Sequence, residues 1–245
     1  MNRREFLGTV AAAAVVPTLS ALAAEQALAE LGEQLERVLR VVLAVIGPLA
    51  VAAAVLGPTA IRVIAFGGVR ANAHAIGWTV AAFAPGMVLF AIHYMMLRGF
   101  YAMENTRTPF LIQVAVAGTN VIAALVLTSL VDPQNVSVAL ALAFGAAYFV
   151  GATLSATLLP GTTVFGPAMR LFLVRLAIAC IGAALVMVAV LTALQVSGVP
   201  ADTPARALGL VALAGPAGAG TYLLLARVVG LTELASVVSA LRRRS

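Results

Sequence analysis

The chain has 245 residues, of which 62% are hydrophobic and 10% charged, with a formal net charge of +6. A soluble domain is about a quarter charged, so this composition, with a mean hydropathy of +1.07, excludes a separate water-soluble domain of any size. All 15 basic residues are arginine and most sit at the ends of apolar runs, which points to membrane orientation and away from nucleic acid, while the single cysteine, Cys180, excludes an internal disulfide and a multi-cysteine metal site.

In chain order, the first apolar stretch is residues 6–24, short and rich in alanine. Residues 2–7, Asn-Arg-Arg-Glu-Phe-Leu, with Ala21-Leu22-Ala23 beyond them, read in two ways. They are either a twin-arginine-like export signal with a small-x-small cleavage site, or a truncated membrane span that starts with two arginines. Residues 25–37 follow as an amphipathic helix on the membrane surface, with Leu28, Leu31, Leu35 and Val38 along one face. Residues 38–245 form the bundle proper. Six nearly uncharged runs, at 41–61, 76–97, 109–131, 137–159, 171–195 and 207–226, each match the roughly 20 apolar residues that a helix needs to cross a bilayer. Strand alternation is missing, and the runs are apolar on all faces. The predicted fold is an all-α polytopic membrane bundle of six full transmembrane helices plus the short N-terminal apolar segment.

Arginines set the expected orientation. Arg37, Arg40, Arg98, Arg107, Arg170, Arg175, Arg242, Arg243 and Arg244 fall on one side of the six spans; Arg62, Arg70 and Arg206 fall on the other. The richer side, with the C-terminus, belongs in the cytoplasm. A cleaved export signal would invert every span against that count.

Function has to be sought in what interrupts the spans. The loop Arg98-Gly99-Phe100-Tyr101-Ala102-Met103-Glu104-Asn105-Thr106-Arg107-Thr108-Pro109 stands out. Thr108 and Pro109 fit the start of a helix, Gly99 the end of the one before, and Phe100 and Tyr101 the headgroup layer. Arg98 and Arg107 flank the loop and either anchor topology or meet phosphates as fork-shaped donors. His93 and Tyr94 lie within span 76–97, where an ionisable group is a candidate for function and a neutral histidine bonded to a neighbouring helix is the plainer alternative. Asn120 and Thr119 suit hydrogen bonding between helices, and Trp78 an interface anchor. Pro48, Pro58, Pro85 and Pro216 predict kinks, and Gly215, Ala217, Gly218 and Gly220 a face for close helix packing. No phosphate-cradling glycine loop, metal-ligand cluster, cofactor motif or activated nucleophile is present in the sequence, so the chain reads as a non-enzyme without catalytic residues.

The loop spelled RGFYAMENTRTP resembles the hallmark between two helices in the C-terminal half of MurJ/MviN lipid II flippases, members of the multidrug/oligosaccharidyl-lipid/polysaccharide exporter superfamily. Gly99, Phe100, Tyr101, Thr108 and Pro109 carry the motif. The segments Val16–Glu25 and Leu35–Gly68, with Pro48 in place, resemble the end of the family's eighth helix and the helix after it. Asn120 stands in a span where members often carry an asparagine. The resemblance implies an exporter of undecaprenyl-diphosphate-linked peptidoglycan precursor in the bacterial inner membrane. Arg98 and Arg107, from their place beside the loop, are the expected headgroup contacts. The resemblance implies membrane lipid as partner but carries none of the family's diphosphate-binding arginines over to this chain. Family members are about twice as long, with two six-helix lobes and two further helices, so it also implies a separate N-terminal lobe as a partner for transport. A scaffold, a partner subunit or a truncated relic without transport activity is the alternative.

Overall fold

In a computed structural model, residues 28–160, 164–199 and 201–233 are described. The N-terminal stretch 1–24 and the basic Arg242, Arg243 and Arg244 lie outside them. Among the described residues there are six helices long and apolar enough to cross a membrane and no strand. They are α1 (Leu28–Ile64), α2 (Ala73–Ala102), α3 (Arg107–Ser129), α4 (Val136–Leu158), α5 (Pro167–Val196) and α6 (Pro204–Val228). Short 3₁₀ turns, Gly67–Asn72 and Pro133–Asn135, lead into α2 and α4. Each of the six runs expected from the sequence falls on one of these helices.

Residues 28–37 differ from the expectation of a surface helix of their own. They are the opening turns of α1, which runs without a break through position 37. Leu31, Leu35, Leu39 and Leu43 form one stripe and are each at most 1% exposed. Spacing of i, i+4 places them one above the other on a helix face, and that face packs against protein rather than lying on a membrane.

Helix order in space is not chain order. α1 packs on α2, α2 on α4, and α4 on α3, so α4 separates α2 from α3, which barely touch. α5 and α6 pair with each other and both dock on α1. Small residues set the close approaches, as expected where lipid gives helices little hydrophobic reason to associate. A Cβ on Gly77 would lie 2.5 Å from the Pro58 Cα, so α1 and α2 meet there backbone to backbone. Gly86 receives the Phe144 ring of α4, and Gly218 receives Met187 of α5.

The outward faces are strongly apolar. On α3, Val121, Ile122 and Leu125 are each at least 60% exposed. Stable apolar surface of that extent needs hydrocarbon around it, and this is a multi-pass membrane protein.

Candidate functional site

Among the described residues, polar side chains come together in several places. The first is the turn between α2 and α3. α2 runs on to Ala102, so Gly99 lies inside the helix and does not end it. Its missing side chain admits Leu35 of α1 and Leu159, which a Cβ would meet at 2.8 Å and 3.1 Å. Phe100 is 0% exposed and belongs to the core, not to the headgroup layer. Tyr101, 47% exposed, keeps the position expected of it.

The helix ends at a paired hydrogen-bond motif. The Asn105 N–H donates to the Phe100 carbonyl at 3.0 Å, and the Glu104 N–H to the Tyr101 carbonyl at 3.0 Å. This arrangement requires a left-handed residue at the fifth position, and Glu104 supplies it at φ 56°. α5 and α6 end in the same way with Gly198 and Gly230 in that role. Asn105, not Thr108, then caps α3: its Oδ1 accepts from the Thr108 N–H at 3.1 Å, and its Nδ2 donates to the Thr108 Oγ1 at 3.0 Å. Pro109 is buried at the third helical position.

Arg98 and Arg107 stand on either side of this turn. The Arg98 guanidinium lies 5.1 Å from the centre of the Tyr94 ring, a cation–π distance. Arg107 is exposed as the first residue of α3. Tyr94, 49% exposed, is the last ring of an aromatic seam along α2 and α4. The seam runs Phe83, Phe144, Tyr148, Phe90 and Tyr94, with neighbouring ring centres 4.6–5.8 Å apart.

The second place is His93, 1% exposed, at the junction of α2, α3 and α4. Its Nε2 lies 2.9 Å from Gln113 Oε1 of α3, and its Nδ1 lies 2.8 Å from Ser155 Oγ of α4. A carboxamide oxygen can only accept, so the pattern assigns the proton to Nε2 and leaves Nδ1 to accept from the serine hydroxyl. Both ring nitrogens are engaged, and the ring holds together two helices that otherwise meet little. Gly151 makes room for it, since a Cβ there would sit 3.2 Å from Nδ1. Asn120 does not join this network. It is exposed on α3, two turns beyond Gln113, and among the described residues makes no hydrogen bond to another helix. The amide of α3 that reaches the histidine is Gln113, seven residues before Asn120 and so close to the same face of the helix.

The third place couples α6 to α1. Pro48 has no N–H for the Ala44 carbonyl one turn earlier. The Tyr222 hydroxyl, from a side chain 4% exposed, donates to that carbonyl at 2.6 Å. Arginines tie the helix ends as well. Arg62 donates to the Ala201 carbonyl at 3.0 Å and Arg70 to the Asp202 carbonyl at 3.3 Å. Arg206 donates to both oxygens of Asp202, and this hydrogen bonding holds the Asp202 carboxyl below its ordinary range. At the opposite end Arg40 pairs with Glu36 and with Glu233, the latter at 3.8 Å, and lies over the Phe172 ring. Among the described residues, no group of three or more His, Cys, Asp or Glu side chains could hold a metal ion.

Comparison with known proteins follows this geometry. The family model described as lipid II flippase MurJ matches residues 6–208. The fold is similar to a solved structure described as lipid II flippase MurJ in an inward closed conformation, with a TM-score of 0.67 and 18% sequence identity. The match covers 91% of this chain and 43% of that one, so the chain spans less than half the length of the structure it resembles. At this identity the likeness speaks for the fold alone. No curated protein matches the chain.

Proposed function

The chain belongs to the lipid II flippase MurJ family, and from that membership we propose that it forms the C-terminal portion of an exporter of undecaprenyl-diphosphate-linked peptidoglycan precursor. The observation that carries the reading is the family match over residues 6–208, together with six membrane helices arranged as in a flippase of the family. Transporters of this kind work by rocking two repeats around a site between them. This chain accounts for 43% of the structure it resembles, so the transport cavity is completed by a second lobe, carried on the same polypeptide or on another. The membrane is the bacterial inner membrane, with the Arg98 end of the bundle facing the cytoplasm.

Arg98 and Arg107 are the headgroup contacts in this reading. Both flank the turn between α2 and α3, where guanidinium forks can engage diphosphate oxygens in bidentate fashion. The stacking of Arg98 over Tyr94 keeps one of those cations at the end of the aromatic seam. His93 is a structural tie, because both of its nitrogens are already engaged.

Vesicles loaded with fluorescent lipid-linked precursor on one leaflet provide the test. Precursor crosses when the chain is supplied with a family N-terminal lobe, and does not when the chain is alone. Substituting Arg98→Gln and Arg107→Gln together reduces crossing at least tenfold, about 1.4 kcal/mol of lost headgroup interaction. Crossing by the chain alone sinks the two-lobe requirement. No crossing with the lobe present returns the chain to the scaffold or relic reading.

A further inference from the structure

At the end of the bundle opposite Arg98, the two 3₁₀ turns that lead into α2 and α4 border an open pocket of about 570 Å³. Its polar lining is Asn72, His74, Gln134 and Asn135, with Trp78 and Val138 as the larger apolar surfaces. The volume lies within the range of small-molecule sites. The Thr79 and Ser137 hydroxyls are hydrogen-bonded at 2.8 Å and hold the two borders together.

Charge is missing from this lining. Arg62, Arg70 and Asp202 line a neighbouring depression that shares only Ala71 and His74 with the pocket. Three carboxamides and an imidazole remain, and each carboxamide offers a donor and an acceptor at once. Hydroxyl and acetamido groups ask for that combination; a phosphate asks for donors alone, and a metal ion for acceptors alone. Asn72 and Asn135 precede α2 and α4 in cap positions, yet neither side chain makes a cap hydrogen bond. Their amides are therefore not committed to the helix ends.

Trp78 is fixed in place. Its Nε1–H donates to His74 Nε2 at 3.0 Å, which leaves Nδ1 of His74 to carry the ring proton. With its one polar atom engaged, the indole, 50% exposed, offers the pocket an apolar flank, the surface on which the C–H face of a pyranose ring rests. We propose that this pocket binds a neutral saccharide bearing hydroxyl and acetamido groups. The site itself stands on the lining chemistry. The source of the sugar rests on the exporter reading: it is the sugar portion of the lipid-linked precursor, held on the side to which it is delivered.

Trp78 is the only tryptophan in the chain, so its emission reports the pocket directly. The full chain in detergent micelles is titrated with di-N-acetylchitobiose, and separately with inorganic phosphate. A saturable change in emission with the disaccharide and none with phosphate is the expected result. Gln134→Leu combined with Asn135→Leu weakens that response at least about tenfold, as the loss of two hydrogen bonds predicts. Both positions are exposed, and helix content by circular dichroism stays unchanged. A flat titration with the disaccharide in folded protein overturns the site, as does an equal or stronger response to phosphate. Undecaprenyl-linked disaccharide in the same micelles then tests the source: tighter binding than the free disaccharide assigns the site to the lipid-linked sugar, and equal or weaker binding overturns that assignment. Saccharide binding without vesicle transport would fail the exporter reading and leave the pocket standing.

Discussion

Glu104 occupies a conformation that its equivalents at the ends of α5 and α6 fill with glycine. A side chain in the left-handed region costs about 1 kcal/mol. Replacing Glu104→Gly therefore raises the thermal midpoint of the detergent-solubilised protein, and a lower midpoint would show that the carboxylate makes up for the strain. Tyr222 presents the opposite case. Tyr222→Phe leaves the Ala44 carbonyl buried and unpaired, a loss of about 1–3 kcal/mol. In a Pro48→Ala background the helix regains its own N–H for that carbonyl, and the same substitution costs less; equal costs in a double-mutant cycle would remove the coupling. Pro48 was legible in the sequence as a missing donor. Its partner was not, because 178 residues separate Tyr222 from Ala44 and no local pattern spans that distance. Phe100 was misplaced for a related reason: a loop-like composition suggested the headgroup layer, while the extra turns of α2 carry the ring into the core.

Helix existence was legible throughout, since length and unbroken hydropathy in a bilayer leave one secondary structure that satisfies the backbone. Which faces meet was not, because runs apolar on every side carry no amphipathic signal. Only the glycines hinted at it, and only in part. The sequence singled out Gly215, Gly218 and Gly220 as one packing face, and of these Gly218 is tightly packed, whereas Gly220 has open space beside it. Gly77 and Gly145 separate tight from loose contact. A methyl on Gly77 meets backbone at 2.5 Å, while on Gly145 it finds its nearest atom at 3.8 Å. Gly77→Ala is expected to lose about 1–3 kcal/mol through overpacking, and Gly145→Ala to leave thermal stability within the error of the scan. Equal behaviour of the two variants would contradict the α1–α2 crossing described above.

At the level of the whole molecule, the arginine count favours an orientation that a reporter can check. A cytoplasm-active reporter fused after Ser245 is expected to be bright and a periplasm-active one dark; the reverse would favour the export-signal reading of residues 2–7. The spatial order of the helices has a further consequence for biosynthesis. Because α3 touches α2 so little, a ribosome that has released α3 but not α4 leaves α3 in lipid with little beyond the His93–Gln113 bond to hold it, and that histidine without its Ser155 anchor. A chain truncated after Ser129 is thus expected to be degraded faster in a pulse-chase than one truncated after Leu158; equal lifetimes would contradict this helix order. Release of α4 closes that interval, so α3 depends for its place on a helix made after it.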